Sequence, residues 1–82
     1  ATAVIDTLGW VYYKKGLYDS AAEEFLACVE KEPENPIFHY HLGLAYHKKE
    51  DNENARKYLS RALELQNDFP GADEAKTILE QI

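Results

Sequence analysis

A repeat of 34 residues is the feature that most constrains the fold of this chain. Glycine and proline each recur at that distance, Gly9 with Gly43 and Pro36 with Pro70. The same offset pairs further identical residues: Leu8 with Leu42, Tyr12 with Tyr46, Lys14 with Lys48, Lys15 with Lys49, Ala21 with Ala55, and Glu30 with Glu64. A fixed period of about 20 to 50 residues is typical of proteins built from stacked structural units. The chain is therefore predicted to hold two copies of one unit.

Each copy is predicted to contain two helices. Apolar residues at helical spacing mark a core-facing stripe on the first helix of each copy: Val4, Leu8, Val11 and Tyr12, then Phe38, Leu42, Ala45 and Tyr46. A second apolar series runs from Ala21 to Val29 and again from Ala55 to Leu63, and no stretch alternates as a strand does. We expect an all-α protein of five helices in a single domain over 1–82. Its parts are one repeat over 2–35, a second over 36–69 and a capping helix within 70–82.

Polar residues at the expected helix ends support this division. Asn35 precedes Pro36, an order typical of a helix start, because Asn accepts from free N–H groups and Pro has no N–H to leave unpaired. Asp19-Ser20 and the stretch 51–54 offer oxygens that are predicted to cap the second helix of each pair. Lysines at 14, 15, 48 and 49 fall at the ends of the first helices, where they favour the negative end of the helix dipole.

Gly9 and Gly43 fall inside the first helices, where glycine costs about 1 kcal/mol relative to alanine. A glycine at the same point of both copies predicts a close approach between two helices. We expect the small residues Ala21 and Ala55 to lie opposite these glycines.

Charge and cysteine content exclude several function classes. Nine Lys and Arg against fifteen Asp and Glu give a net charge of −6, which disfavours binding to a nucleic-acid backbone or to an anionic membrane surface. Cys28 is the only cysteine, which excludes an internal disulfide. It lies at the position of the first repeat that is equivalent to Ala62 in the second, so we expect it to be an inert thiol in the core. The chain begins at Ala1 and contains no Met, which suggests a module of a longer protein; its compartment, cytoplasmic or bacterial periplasmic, stays open.

The remaining polar residues do not form a recognisable catalytic or metal site. His39 and His41 point about 200° apart on a helix, while His39 and His47 stand about 12 Å apart, so neither pair chelates one ion. His39 is expected to be a half-buried packing residue. Ser20 and Ser60 lie on second helices without the strained turn that exposes a nucleophile. We expect no enzyme activity, no cofactor and no metal.

The residues that carry the period resemble the tetratricopeptide repeat, whose pattern is Trp-x₂-Leu-Gly-x₂-Tyr, then Ala-x₃-Phe, then Pro. The first copy places Ile5, Leu8, Gly9, Tyr12, Ala21, Phe25 and Pro33 in these slots, and the second places His39, Leu42, Gly43, Tyr46, Ala55, Leu59 and Asn67. The resemblance implies a right-handed α-solenoid whose last helix covers the final apolar face. The run 6–13 is also similar to C-terminal repeats of long bacterial proteins of this family, some of them in cell-envelope assembly and exopolysaccharide export.

The family resemblance also implies a protein-interaction module with a concave groove lined by the first helices. It places in that groove Asp6, Trp10, Tyr13, Lys14, Ile37, Tyr40, Leu44, His47 and Lys48. Such an aromatic strip suits a peptide or helix of a partner protein, because aromatic side chains bury large areas and lose few rotamers. The alternative is a structural segment at the C-terminal end of a longer solenoid. Its exposed first helix would then pack on an upstream repeat or on a second copy as a homodimer.

Overall fold

The structure, a computed structural model, describes all residues from Ala1 to Ile82 and consists of five α-helices. Their bounds are α1 Thr2–Lys14, α2 Tyr18–Lys31, α3 Pro36–Lys48, α4 Asn52–Leu65 and α5 Ala72–Gln81. Each helix packs on the next along the chain, so the helices form one row of antiparallel neighbours. The predicted all-α helical-repeat class is confirmed. None of the five helices is long and apolar enough to cross a membrane.

Two of the predicted helix starts are confirmed. The side-chain oxygen of Asn35 accepts a hydrogen bond from the N–H of Ile37 at 2.9 Å, with Pro36 at the first helical position of α3. The Asp51 carboxylate accepts from the N–H of Asn54 at 3.2 Å and from its side-chain amide at 2.8 Å. These hydrogen bonds lower the pKa of Asp51, because they stabilise its ionised form.

The predicted cap at Asp19-Ser20 is wrong. Helix α2 begins at Tyr18, its N-cap position is Leu17, and no side chain caps it. The turn before α2 matches the turn before α4: φ is positive at Gly16 and at Glu50, and the N–H of the next residue bonds back to a tyrosine carbonyl at 2.9 Å in both. The two helices differ at the N-cap position itself, which is Asp51 in α4 and Leu17 in α2, and a leucine side chain has no oxygen to accept a hydrogen bond. Helix α2 therefore starts before the predicted capping side chains are reached.

The close approach predicted at the two glycines is confirmed, but the residues opposite are different. A Cβ atom at Gly9 would lie 2.7 Å from Cδ1 of Phe25, and one at Gly43 would lie 2.6 Å from Cγ of Leu59. Large side chains therefore fill the space that each glycine leaves, where the small residues Ala21 and Ala55 were expected. The contact joins the first and second helix of each pair.

The interior consists of two neighbouring apolar clusters. The first contains Ala21, Ala22, Phe25, Cys28, Val29, Phe38, Leu42 and Ala45. The second contains Tyr40, Leu44, Leu59, Ala62, Phe69, Ala72, Ala75 and Ile78. Trp10 and Tyr13 pack against both, so α1 helps to join the two clusters.

The core-facing stripe predicted on α1 is largely exposed, so this prediction is wrong. Val4, Leu8 and Val11 have exposed fractions of 71%, 40% and 45%. Their equivalents one repeat later, which are Phe38, Leu42 and Ala45, lie buried in the cluster that α2 supplies. The difference has a positional cause: α2 covers this face of α3, whereas no helix of the chain packs on the same face of α1.

We expect Gly43→Ala to destabilise the fold, although the same change in an open helix stabilises by about 1 kcal/mol. The added methyl group would overlap the side chain of Leu59, and such overpacking costs about 1–3 kcal/mol. Urea unfolding monitored by circular dichroism measures the loss.

The double variant Gly43→Ala/Leu59→Ala is the control. Shortening Leu59 opens the space, so the double variant should lose less free energy of unfolding than the two single changes added together. Strict additivity would show that a methyl group at position 43 meets no obstacle at Leu59.

Candidate functional site

The nine residues predicted to line a groove all lie on α1 and α3, but they differ in exposure. Lys14 and Lys48 are exposed; Asp6, Trp10, Tyr13, Ile37 and His47 are half-buried; Tyr40 and Leu44 are buried. The aromatic strip is thus only partly available at the surface.

Tyr40 and Leu44 belong to the contact between α3 and the last part of the chain, which corrects their predicted place on an open surface. The Tyr40 ring packs against Phe69 with ring centres 5.4 Å apart, and its hydroxyl donates to the Glu74 carboxylate. Burial, followed by this hydrogen bond, raises the pKa of Tyr40. Gly71 lies so close that a Cβ there would be 2.6 Å from the Tyr40 hydroxyl oxygen. The physical reason is that α5 and the turn before it occupy the side of α3 that the stripe faces.

Asp6 and Trp10 connect α1 with α3. The Asp6 carboxylate lies 2.7 Å from Nδ1 of His41, and both side chains are mostly buried. The Trp10 ring meets His41 edge-on at 4.8 Å and Phe25 at 5.6 Å. His41 was not among the predicted site residues. A signal for His41 is present in the sequence: it follows Asp6 by 35 residues, about one repeat, which places both residues on the first helices of neighbouring repeats.

A half-buried aromatic rim remains at the surface of the predicted groove. Trp10 and Tyr13 pack edge-on with ring centres 4.8 Å apart, and Tyr13 meets Tyr18 at 5.4 Å. The Lys14 ammonium stands 5.9 Å from the centre of the Trp10 ring, within the range of a cation–π contact. Partial burial raises the pKa of Tyr13. The rim can offer ring edges and one positive charge to a partner.

A second candidate surface is the open face of α1, defined by Val4, Leu8 and Val11. The spacing of four and three residues aligns these side chains along one side of the helix. They are three of the four exposed large hydrophobic residues, the fourth being Leu17 in the turn after α1. The sequence analysis assigned these residues to the core, although its alternative interpretation has an exposed first helix that packs on an upstream repeat or on a second copy.

His39 is buried, with an exposed fraction of 6%, rather than half-buried as predicted. Its ring stacks on Tyr58 with centres 5.9 Å apart, and Nε2 lies 2.7 Å from the Pro33 carbonyl oxygen. Because a carbonyl only accepts, Nε2 carries the hydrogen. No group of three His, Cys, Asp or Glu side chains converges in a way that could hold a metal ion.

Comparison with known proteins gives one family and several distant relatives. The family model described as "Tetratricopeptide repeat" matches residues 7–72. "Intraflagellar transport protein 70B" of Homo sapiens is 32% identical over 57 residues, which is 70% of this chain and 9% of that protein. The proteins of the same name in Rattus norvegicus and Mus musculus are each 33% identical over 57 residues, which again cover 70% of this chain and 9% of the relative. These relatives are mammalian and do not support the expected likeness to bacterial envelope proteins, which stays a prediction.

Cys28 should react with thiol reagents only when the protein unfolds. It is fully buried, its thiol donates to the Thr2 carbonyl at 3.6 Å, and burial raises the pKa of the thiol to about 11. At pH 8 the folded protein should therefore release almost no thionitrobenzoate from Ellman's reagent, and urea should restore one equivalent. Rapid labelling without urea would contradict the buried position.

Proposed function

This chain belongs to the tetratricopeptide-repeat family, and from that premise we propose that it binds a helix of another repeat on the open face of α1. The family consists of protein–protein interaction modules, so the question is which surface receives the partner. One observation carries the proposal: the open face repeats, one unit earlier, the face of α3 that α2 covers.

The covered face of α3 indicates what kind of helix would fit. On α3, the residues equivalent to Val4, Leu8 and Val11 share a cluster with small and apolar side chains of α2: Ala21, Ala22, Phe25, Cys28 and Val29. A partner for α1 should therefore be an amphipathic helix with alanines and one or two larger apolar residues on a single stripe. That is the chemistry of the second helix of a tetratricopeptide pair.

The lengths of the relatives support such a partner. The chain spans 9% of the intraflagellar transport proteins that it matches, so most of each relative lies outside the matched part. Apolar patches on an exposed helix are typical of interaction sites. We therefore propose that the binding helix belongs to another repeat. The competing possibility is that a second copy of this chain binds the same face, and the experiment below distinguishes the two.

A second candidate function uses the predicted groove. Its support is the aromatic rim, where Trp10 and Tyr13 stay half-buried beside the exposed Lys14. A short peptide with an acidic residue next to an apolar one would suit this rim. It is the weaker candidate because Tyr40 and Leu44, the centre of the predicted strip, are buried.

We assign the chain no enzymatic role, in line with its family. The single thiol is buried and its pKa is raised to about 11, which disfavours a thiolate nucleophile. Nε2 of His39 is held by the Pro33 carbonyl, so this nitrogen is not free to act as a base.

A labelled peptide of residues 17–32, which contains α2 and one residue on each side of it, should bind the protein, and Leu8→Gln should weaken that binding. Removing a leucine from an apolar contact costs about 1.5–3 kcal/mol, which corresponds to about a ten- to hundredfold rise in the dissociation constant. Fluorescence anisotropy measures the change.

Leu17→Gln is the matched control, because Leu17 is 49% exposed yet lies outside the open face. Equal weakening by Leu17→Gln, or no binding by the folded protein, would contradict the proposal. Sedimentation equilibrium tests whether a second copy of the chain occupies the open face instead. A dimer that becomes a monomer in the Leu8→Gln variant would assign the face to a second copy.

For the groove, Lys14→Gln should weaken binding of a short acidic, aromatic peptide by about two- to fivefold, the effect of one exposed charge. Changes in Trp10 fluorescence report the binding. Lys15→Gln, a neighbouring exposed lysine without a cation–π contact, is the control. If both variants bind equally, the aromatic rim is not the peptide site.

A further inference from the structure

Lys15 continues the open face of α1 by one step. The stripe of Val4, Leu8 and Val11 advances by four and then three residues, and a further step of four reaches Lys15. Lys15 directly follows the last residue of α1 and keeps helical backbone angles, with φ −84° and ψ −2°. Its side chain is exposed and pairs with no carboxylate of the chain. The apolar face of α1 therefore ends in an unpaired positive charge.

The covered face of α3 ends in the same way, and there the positive charge has a partner. Lys49 stands one repeat after Lys15 and has nearly the same backbone angles, with φ −79° and ψ −2°. Its ammonium lies 2.7 Å from the carboxylate of Asp19, the second residue of α2. Because α2 also supplies the apolar residues that cover this face of α3, one helix satisfies both the apolar stripe and the lysine at its end.

The pair of Lys49 and Asp19 is a contact that depends on helix direction. Lys49 lies at the end of α3 and Asp19 lies in the first turn of α2, so the pair forms only where the two helices run antiparallel. Each charge also stands at the helix end whose dipole favours it. The Asp19 side chain is 85% exposed, and exposed ion pairs contribute little to affinity. The pair therefore favours one orientation more than it strengthens the contact.

A second copy of the chain does not offer Lys15 an equivalent acid on a free helix face. Helix α1 has no acidic residue in its first turn, so two open faces that met in antiparallel fashion would leave both lysines unpaired. The one acid of α1, Asp6, is already bonded to His41, and Asp19 of α2 is paired with Lys49. A helix of another repeat can bring both the apolar stripe and a free acid.

We propose that the helix that binds the open face carries an acidic residue in its first turn and that this residue pairs with Lys15. The partner helix then runs antiparallel to α1, with its Asp or Glu two residues after its N-cap position, as Asp19 is in α2. Lys15 is thus a residue that determines orientation and specificity. This inference rests on the proposed function, because it specifies the helix that the open face receives.

The test is a charge swap between the protein and the peptide of residues 17–32, measured by fluorescence anisotropy. Lys15→Glu should weaken binding of the unchanged peptide about two- to fivefold, the effect of one exposed ion pair. A peptide with Asp19→Lys should bind the unchanged protein more weakly by a similar factor. The Lys15→Glu protein and the Asp19→Lys peptide should together recover the lost affinity, which two independent losses of charge would not do.

A peptide with Glu30→Lys is the matched control, because it carries the same change of charge at the other end of α2. Glu30 is exposed and lies eleven residues after Asp19, which is about 16 Å along the helix. That distance is about twice the screening length at physiological ionic strength, so this peptide should not recover the affinity of the Lys15→Glu protein. Recovery by Glu30→Lys in place of Asp19→Lys would show that the helix binds in the opposite direction, and it would overturn the proposal.

Leu8→Gln distinguishes a failure of this inference from a failure of the proposed function. If Leu8→Gln weakens peptide binding while the effects of Lys15→Glu and Asp19→Lys merely add, the orienting pair is wrong and the proposed function stands. If the folded protein binds none of the peptides, both are wrong. Thermal unfolding checks that each protein variant is folded.

Discussion

The close approach of paired helices at Gly9 and Gly43 is the constraint on which the rest of the structure depends. Phe25 and Leu59 occupy the volume that a Cβ would need at each glycine, so one large side chain of the second helix locks against the first. This contact fixes how far the two helices slide along each other. Because this contact recurs at the same point of both pairs, the second helix of each pair presents an equivalent face to the helix that follows it. Repetition of this one contact in each helix pair builds the row of helices.

Local signals in the sequence predicted the helices well, because those signals act through neighbouring backbone groups. Asn35 and Asp51 cap their helices as expected, each through an oxygen that reaches the nearby N–H groups. Asp19-Ser20 carries the same kind of signal and fails. There the same turn makes Leu17 the N-cap residue, at the position that Asp51 occupies in the second repeat, and the polar side chains come two residues too late. A residue that favours caps does not decide where the preceding helix ends.

Burial was harder to predict, because it depends on which helix lies next to a given face. The pattern 4, 8, 11 and the pattern 38, 42, 45 are both apolar at the same spacing, yet α2 covers only the second. The opposite error affected Tyr40 and Leu44, which the family pattern places in an open groove and which pack instead with residues of α5. Periodicity identifies the faces of a helix that can pack. The neighbours of the helix then determine which of those faces are used.

The two repeats of this chain give a physical way to separate residues that build the fold from residues that do something else. Positions that keep their chemistry, such as the two glycines and the large residues opposite them, maintain the helix pair. Positions that change, such as Ile5 to His39 and Ala27 to Arg61, leave the pair intact while altering its surface. The open face of α1 belongs to the first group by its chemistry, because its residues stay apolar in both repeats, and only its covering differs between them. An apolar face that the repeat keeps points to another repeat as its partner.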